Sequence, residues 1–223
     1  MTDLAPAETE KLAPDTPLVR RLGLIDYATT FERMRAFTDA RKQGTPDEIW
    51  LLEHPPVFTQ GQTGKAEHVL AAGSIPIVQS DRGGQVTYHG PGQLVVYFLV
   101  DLHRRGYGIR SLVSRIEHSM VALLGERGIH AYADPEAPGV YVDDAGGKRM
   151  KIGSLGLRVR RGCTYHGLSL NVAMDLEPFS RINPCGYQGL KMTQMADLAG
   201  PISVVEAGEA LLIHLLRELG YVA

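Results

Sequence analysis

One cysteine and one lysine have the residue types and sequence surroundings of a nucleophile and its activating cation. Cys185 stands in the sequence Asn-Pro-Cys-Gly at 183–186, where proline and glycine favour a turn that presents the thiol at a loop tip. A thiol attacks as the thiolate, and a nearby cation promotes ionisation by lowering its pKa from about 8.5. Lys151 is the candidate for that cation, because it begins an otherwise apolar, glycine-containing segment, KIGSLGL. A cysteine more often packs inertly and a lysine more often faces water, so nucleophilic catalysis by this pair is a hypothesis.

The other cysteine and three histidines are weaker candidates. Cys163 lies in the strand-like segment CTYHGLSLNV, where a free cysteine commonly acts as a small buried hydrophobic residue. His54, His89 and His166 compete for the role of general base, although a structural hydrogen bond would also explain each of them. His89 ranks first because its surroundings are rich in glycine. Cys163 and His166 have a spacing that suits a metal, but no second pair complements them, so we expect no metal site.

Glycine is concentrated in a few short segments. The chain has 25 glycines, which cluster in RGGQVTYHGPGQ (82–93), GSLG (153–156), HGL (166–168) and PCGYQG (184–189). Glycine lets a backbone approach a ligand closely, although a tight turn leading into the next strand would also explain the first cluster. That cluster also carries the hydrogen-bonding side chains of Arg82, Gln85, Thr87, Tyr88 and His89. Because a turn does not require them, they favour a loop that lines a binding cleft.

Periodicity predicts an α+β fold in a single domain, with a mixed and largely antiparallel sheet flanked by helices. Helices are expected from the N-cap Asp26 to Gly44, over 109–127, and from the capping box of Ser203 and Glu206 to Gly220. Strands are expected at 48–54, 93–102, 140–144, 148–159 and 163–172. Residues 1–17 contain three prolines and no apolar periodicity, so we expect a flexible N-terminal tail before a folded domain at 18–223.

Composition excludes several classes of partner. Lys plus Arg total 23 against 25 Asp plus Glu, and this balance lacks the basic surface that nucleic-acid binding requires. The longest apolar stretch, 94–100, is far shorter than the ~20 residues of a membrane-spanning helix. The acidic, proline-containing start is unlike a secretory signal, so we expect a cytoplasmic protein. Arginine clusters at 104–110 and 158–161 suit either solvated faces or the docking of an acidic protein.

Four segments together resemble the octanoyltransferases of lipoate assembly. They are EIWLLEHPPVFTQGQ (48–62), RGGQVTYHGPGQLVVYFLVDL (82–102), KIGSLGLRVRRGCTYHGLSLNV (151–172) and INPCGYQG (182–189), in the order found in that family. The resemblance implies a catalytic domain over 18–223 with the fold shared by biotin and lipoate protein ligases. It also implies transfer of an octanoyl group from octanoyl-acyl carrier protein to a lysine of lipoyl domains. Those domains belong to the E2 subunits of 2-oxoacid dehydrogenases and to the glycine cleavage H protein, and the family implies a monomer without a cofactor.

The same resemblance assigns roles to individual residues. In the family the acyl group passes through a cysteine thioester, which implies Cys185 as the nucleophile and Lys151 as the assisting residue. The stretches that would hold the acyl substrate are Arg82, Gly83, Gly84, Gln85, Val86, Thr87, Tyr88, His89, Ser154, Leu155, Gly156, Gly167, Leu168 and Ser169. Burial of an eight-carbon tail at ~0.8 kcal/mol per methylene would contribute roughly 5 kcal/mol as an upper figure.

Two alternatives share parts of this pattern. An ATP-dependent lipoate ligase has the same fold but activates a free acid as an adenylate. A non-catalytic acyl-binding or amidotransferase-like relative would not need Cys185. The three hypotheses therefore differ in whether ATP is required and in whether Cys185 carries an acyl group.

Overall fold

The computed structural model describes residues 16–184 and 189–222, which form eleven strands and five α-helices. The strands are β1 Leu18–Leu24, β2 Glu48–Glu53, β3 Val57–Gln60, β4 Ile77–Gln79, β5 Val86–His89, β6 Gln93–Leu99, β7 Ala131–Ala133, β8 Val140–Asp143, β9 Arg149–Arg160, β10 Cys163–Asn171 and β11 Lys191–Met192. The helices are α1 Tyr27–Ala40, α2 Leu102–Arg105, α3 Ile109–Glu126, α4 Met195–Ala199 and α5 Val204–Glu218. Two 3₁₀ turns lie at Ala66–His68 and Glu177–Arg181.

The strands form two sheets. The main sheet has the order β1-β2-β6-β10-β9-β8-β7, and β11 pairs with β9 beside this series. Its neighbours run antiparallel except for the parallel pairs β1–β2 and β9–β11. A small second sheet has the order β4-β3-β5. This architecture confirms the predicted α+β fold with a mixed, largely antiparallel sheet.

The central strand β6 is buried on both faces, as its apolar run predicts. Its alternating side chains belong to two separate core clusters: Leu94, Val96 and Phe98 to one, and Val95, Tyr97 and Leu99 to the other. Helices α3 and α5 contribute to the first cluster, and α1 contributes Met34 to the second. Helices therefore cover the sheet on both sides, and β6 with its neighbours forms the rigid layer between them.

The three long helices begin close to the positions that the sequence signals indicate. The Asp26 side chain caps α1 by accepting a hydrogen bond from the Thr29 backbone N–H. Ser203 and Glu206 form the predicted capping box of α5. Helix α3 spans nearly the whole of the range predicted for it. No helix in the described part of the chain combines the length and the apolar character needed to cross a bilayer.

The glycine-rich region contains structure that its sequence pattern does not predict. Residues 82–93 are expected to be a loop that lines a cleft, and they include the strand β5, which pairs with β3. The predicted strand 93–102 ends at Leu99, because the Asp101 side chain accepts hydrogen bonds from the backbone N–H groups of His103 and Arg104 and begins α2. The short strands β3 and β4 and the exposed edge strand β1 also have no clear signal in the sequence.

Several of the clustered arginines pair with an acidic residue of the chain itself. Arg104 and Arg105 face the buried carboxylate of Asp47, and Arg41 contacts the same carboxylate at 2.7 Å. The Tyr221 hydroxyl donates to it at 2.7 Å, which fastens the segment after α5 to the loop before β2. Arg104 and Arg105 therefore stabilise the fold, and the suggestion that they dock an acidic partner does not fit their position.

Candidate active site

Lys151 lies inside the main sheet. It is the third residue of β9 and pairs with Tyr141 of β8 and Met192 of β11. Its Nζ donates to the Pro138 carbonyl oxygen at 3.0 Å and lies 5.1 Å from the centroid of the Tyr141 ring. The residue is 2% exposed, so the alternative of a strand-edge lysine that faces water is wrong. A buried ammonium needs compensating partners, and a carbonyl oxygen with a ring face provides two of them.

A cleft opens beside β9 and β10. In the register of these two strands, residues 154–156 pair one for one with residues 169–167. The two stretches implied by the resemblance are therefore a single continuous patch of sheet, and both line the cleft. Apolar contacts in the wall come from Val95, Leu155 and Leu168.

The remaining wall of the cleft comes from the glycine-rich segment and from other elements. The first group is Arg82, Gly84, Gln85, Val86, Thr87 and His89, and the second includes Tyr27, Tyr97 and His166. All the acyl-binding candidates except Gly83 and Tyr88 thus surround one cleft. No sequence pattern marks Tyr27 or Tyr97 as a site residue, because they come from α1 and from the centre of β6. That these residues bind an acyl chain stays a prediction.

Tyr88 and Gly83 lie elsewhere. The Tyr88 ring packs 5.5 Å from the rings of both Phe58 and Phe179 in a separate core cluster. Successive side chains of a strand point to opposite faces, so His89 lines the cleft while Tyr88 does not. Gly83 lines a neighbouring cavity. The position of Tyr88 corresponds to a packing role, and we no longer expect its side chain to contact a ligand.

Lys151 lines that neighbouring cavity, which lies next to the cleft. The two share Gly84, Gln85, Leu155 and Gly156 in their walls. The buried amine therefore adjoins the space that the acyl chain is expected to fill. This juxtaposition is the geometry that an amine assisting an acyl transfer requires.

Arg82 organises the glycine-rich segment from within. Its guanidinium is buried and donates to the carbonyl oxygens of Thr59 at 2.5 Å, Gly83 at 2.9 Å and Gln85 at 2.6 Å. It also donates from Nε to the Thr59 hydroxyl at 3.1 Å. The planar fork of donors thus fixes residues 83–85 against β3, and Gly84 and Gln85 in turn line the cleft.

His54 and His89 are buried and neutral. Burial lowers the pKa of His54 to about 4 and that of His89 to about 3. His54 donates from Nδ1 to the Ile25 carbonyl at 2.6 Å and accepts at Nε2 from the Tyr97 hydroxyl at 2.7 Å. His89 bonds through Nδ1 to Gln93 Oε1 at 2.7 Å. Imidazoles that resist protonation this strongly are poor general bases near pH 7, so both fit structural hydrogen bonding better.

His166 pairs with an acid that the sequence pattern does not single out. Its Nε2 lies 2.9 Å from Asp81 Oδ1, and the Tyr165 hydroxyl donates to Oδ2 at 2.5 Å. Burial lowers the pKa of His166, so the neutral ring donates its Nε2–H to the carboxylate. The one available signal for Asp81 was its place directly before Arg82 at the start of the glycine-rich segment.

Cys185 lies outside the described residues, as do residues 186–188. On one side, the Asn183 N–H donates to the His68 carbonyl at 2.8 Å. On the other side, β11 runs beside β9 and places Met192 opposite Lys151. The chain that follows Cys185 therefore reaches the neighbourhood of the lysine within a few residues. Contact between the Cys185 sulfur and the Lys151 amine stays a prediction.

Cys163 has the buried position expected of it. It is a free thiol at the start of β10, and burial raises its pKa. Such a thiol forms little thiolate near pH 7 and is a poor nucleophile. Within residues 16–184 and 189–222, no three His, Cys, Asp or Glu side chains are grouped so that they could hold a metal ion.

Comparison with solved structures identifies the fold class. A lipoate-protein ligase A bound with ATP has a TM-score of 0.74 and 16% identity, covering 92% of this chain and 86% of that one. A bipartite lipoate protein ligase from Thermoplasma acidophilum has the same TM-score and identity, covering 92% and 84%. A biotin protein ligase from Aquifex aeolicus has a TM-score of 0.55 and 13% identity, covering 92% and 69%. The chain therefore has the catalytic-domain fold of lipoate and biotin protein ligases.

Comparison of sequences identifies the family. Residues 26–216 match the family described as the lipoyl protein ligase A/B catalytic domain. A protein named octanoyltransferase from Stutzerimonas stutzeri (strain A1501) is 61% identical over 203 residues, which are 91% of this chain and 90% of that protein. One from Pseudomonas savastanoi pv. phaseolicola (strain 1448A) is 59% identical over 202 residues, with the same coverage. The chain belongs to the lipoyl protein ligase A/B catalytic-domain family, which confirms the resemblance seen in its four segments.

Proposed function

We propose that this chain is an octanoyltransferase that moves an octanoyl group from acyl carrier protein to a lysine of lipoyl domains. The observation that carries the proposal is its identity of 59% and 61%, over 91% of its length, with two proteins of that name. The site supports it, because a buried amine adjoins a cleft with apolar walls. The ATP-bound ligase shares the fold at only 16% identity, so ligase activity is the less favoured alternative.

The first half of the reaction loads the acyl group onto the protein. The Cys185 thiolate attacks the thioester carbonyl carbon of octanoyl-acyl carrier protein, and a new carbon–sulfur bond forms as the old one breaks. The carrier leaves as a thiolate and takes up a proton. One thioester replaces another, so the step needs no ATP. The Lys151 ammonium would stabilise the attacking thiolate before the bond forms.

The second half transfers the acyl group to the acceptor. Acylation removes the negative charge of Cys185, which leaves the Lys151 ammonium in a buried site without that counter-ion and favours the neutral amine. The neutral amine then accepts a proton from the incoming lysine as that nitrogen attacks the thioester carbonyl. An amide forms, the carbon–sulfur bond breaks, and the Cys185 thiolate is released beside a protonated Lys151.

The finer assignments of partner and setting are part of the same proposal. The acceptors would be the lipoyl domains of 2-oxoacid dehydrogenase E2 subunits and the glycine cleavage H protein. The protein would act as a monomer in the cytoplasm. Arg110 is exposed and would be available to an acidic partner, unlike Arg104 and Arg105, which face Asp47.

The intact mass of the protein after incubation with octanoyl-acyl carrier protein tests substrate, covalency and nucleophile together. The wild type is expected to gain one octanoyl group that hydroxylamine removes. Cys185→Ala should gain none, and its rate of lipoyl-domain modification should fall more than about 1,000-fold, because the covalent route is lost. Cys163→Ala is the matched control and should behave as the wild type, since that thiol is buried.

Two results would reject the proposal. Undiminished transfer by Cys185→Ala would remove the thioester from the mechanism. Modification supported by octanoate plus ATP, but not by octanoyl-acyl carrier protein, would identify a ligase instead.

A further inference from the structure

A buried carboxylate lies behind Lys151 and is tied to the loop that holds the lysine. Glu117 of α3 is 6% exposed, and its Oε1 accepts a hydrogen bond of 2.8 Å from the Gly139 backbone N–H. The preceding residue, Pro138, supplies the carbonyl oxygen to which Lys151 Nζ donates at 3.0 Å. That N–H and that carbonyl belong to the same peptide group. A single planar unit therefore connects the carboxylate to the ammonium.

The geometry of a trans peptide makes this connection directional. Its C=O and N–H are held in one plane and point in opposite directions, so an acceptor that fixes the N–H also aims the C=O. Glu117 thus sets the direction of the Pro138 carbonyl from the side opposite to Lys151. The Tyr141 hydroxyl steadies the same loop by donating to the Ala137 carbonyl at 2.8 Å. The Tyr141 ring also lies beside the Lys151 ammonium, so Tyr141 contacts both the loop and the lysine.

The burial of Glu117 is unfavourable unless it is compensated. Burial raises the pKa of Glu117, while the hydrogen bond from Gly139 and electrostatic interactions with His118 and Lys151 oppose that rise. An apolar side chain could pack this face of α3 against the core without such a cost. Its contacts give the carboxylate a role that an apolar residue could not perform, because only an acceptor can bind the Gly139 N–H.

We propose that Glu117 is the positioning residue for Lys151, acting through the Pro138–Gly139 peptide group to fix the place of the amine beside the cleft. The proposal rests on the proposed function, since it assigns Lys151 to octanoyl transfer. Glu117 touches neither substrate nor reacting atoms in this role. Its effect reaches the reaction through the carbonyl that holds the amine.

Three substitutions separate the hydrogen bond from the charge. Glu117→Gln keeps an acceptor oxygen at the same reach but loses the charge, Glu117→Asp keeps the charge but shortens the reach, and Glu117→Ala loses both. We expect Ala and Asp to lower kcat for octanoyl transfer about 10- to 100-fold, with KM for octanoyl-acyl carrier protein within about threefold. Glu117→Gln should keep both kcat and KM within about threefold of the wild-type values. Glu126→Gln, an exposed acid on the same helix, is the control and should change neither.

The position of the lysine can be read without turnover. Protons above an aromatic ring are shifted by its ring current, so the Lys151 ε-CH₂ resonance in ¹³C-lysine-labelled protein reports its place beside Tyr141. The resonance is assigned by its loss in Lys151→Met. It should keep its wild-type shift in the Gln variant and move toward the shift of exposed lysines in the Ala and Asp variants.

Each outcome decides the matter. Rescue by Gln but not by Asp, with the matching NMR shifts, supports positioning through the hydrogen bond. Rescue by Asp but not by Gln would show that the charge alone matters. A loss of rate with no change in the Lys151 ε-CH₂ resonance would show a merely structural role for Glu117. Either result overturns the proposal. Should the wild type fail to transfer octanoyl groups, the proposed function fails, while the NMR pattern still decides whether Glu117 positions Lys151.

Discussion

The Lys151 side chain combines burial, a carbonyl acceptor and an aromatic face, and each affects what its amine can do. The carbonyl of Pro138 and the ring of Tyr141 both favour the ammonium, whereas burial opposes any charge. A group held in this balance changes protonation when one neighbouring charge appears or disappears. In the proposed mechanism, loss of the Cys185 thiolate on acylation would be such a change, so the same amine would serve as a cation first and as a base afterwards.

Leu155 is the residue whose truncation should separate acyl binding from folding. It lines both the cleft and the cavity of Lys151 and is only partly buried, so Leu155→Ala removes methylenes from the substrate wall more than from the core. We expect kcat/KM for octanoyl-acyl carrier protein, measured by initial rates, to fall roughly 5- to 150-fold. This corresponds to a loss of ~1–3 kcal/mol of transition-state binding. Leu216→Ala, a partly buried leucine of α5 packed on the same core, is the control for general destabilisation. Equal losses in the two variants would mean that Leu155 does not contact the acyl chain.

At the scale of elements, the hairpin of β9 and β10 is the part of the site that the sequence predicts best. Its two-residue turn, Arg161-Gly162, has positive φ at both positions, which fixes the register of the strands. The pairing of 154–156 with 169–167 follows from that register, and the turn residues are visible in the sequence. Asp81 and Glu117 were missed for the opposite reason. They reach the site from a distant loop and from α3, through tertiary packing that no local pattern encodes.

The turn that precedes β8 packs tightly against Lys151, and a substitution at Gly139 tests this contact. A Cβ placed on Gly139 would lie 2.5 Å from Lys151 Cε and 2.8 Å from both Lys151 Nζ and the Gly153 carbonyl oxygen, and its φ of +142° is unfavourable for other residues. Gly139→Ala should therefore displace the amine and lower octanoyl transfer about 100-fold. Gly147→Ala in the β8–β9 turn also has a positive φ, but nothing lies within 4 Å of its added Cβ.

The comparison of these two variants separates the effect of crowding next to Lys151 from the strain of a positive φ. Both should lose some thermal stability, and only Gly139→Ala should lose transfer activity in the folded protein. If Gly147→Ala lost as much activity, or if Gly139→Ala kept its rate, the tight packing of Gly139 on Lys151 would have no part in catalysis.

At the scale of the whole molecule, the two sheets meet at a cluster of aromatic and imidazole rings. His54 follows β2 of the main sheet and His89 ends β5 of the small sheet, and their ring centroids are 5.8 Å apart. Tyr27 of α1 contacts both rings, at 5.2 Å and 5.9 Å. The cleft opens at the same junction, with Tyr27 and His89 in its wall. The stability of this junction and the shape of the cleft therefore depend on the same neutral histidines.

This junction predicts that the protein becomes less stable as the pH falls below about 6.5. Burial lowers the pKa of His54 to about 4 and that of His89 to about 3, whereas an unfolded histidine titrates near ~6.5. The unfolded state therefore binds more protons in this window, and the free energy of unfolding should fall by about 2 kcal/mol per histidine between pH ~6.5 and ~5. Urea unfolding across that range, where most carboxylates stay ionised, measures the slope. His54→Gln should make this slope with pH shallower, and His130→Gln, which changes an exposed histidine, should leave the slope unchanged. A wild-type free energy of unfolding that does not vary with pH over this range would contradict the prediction.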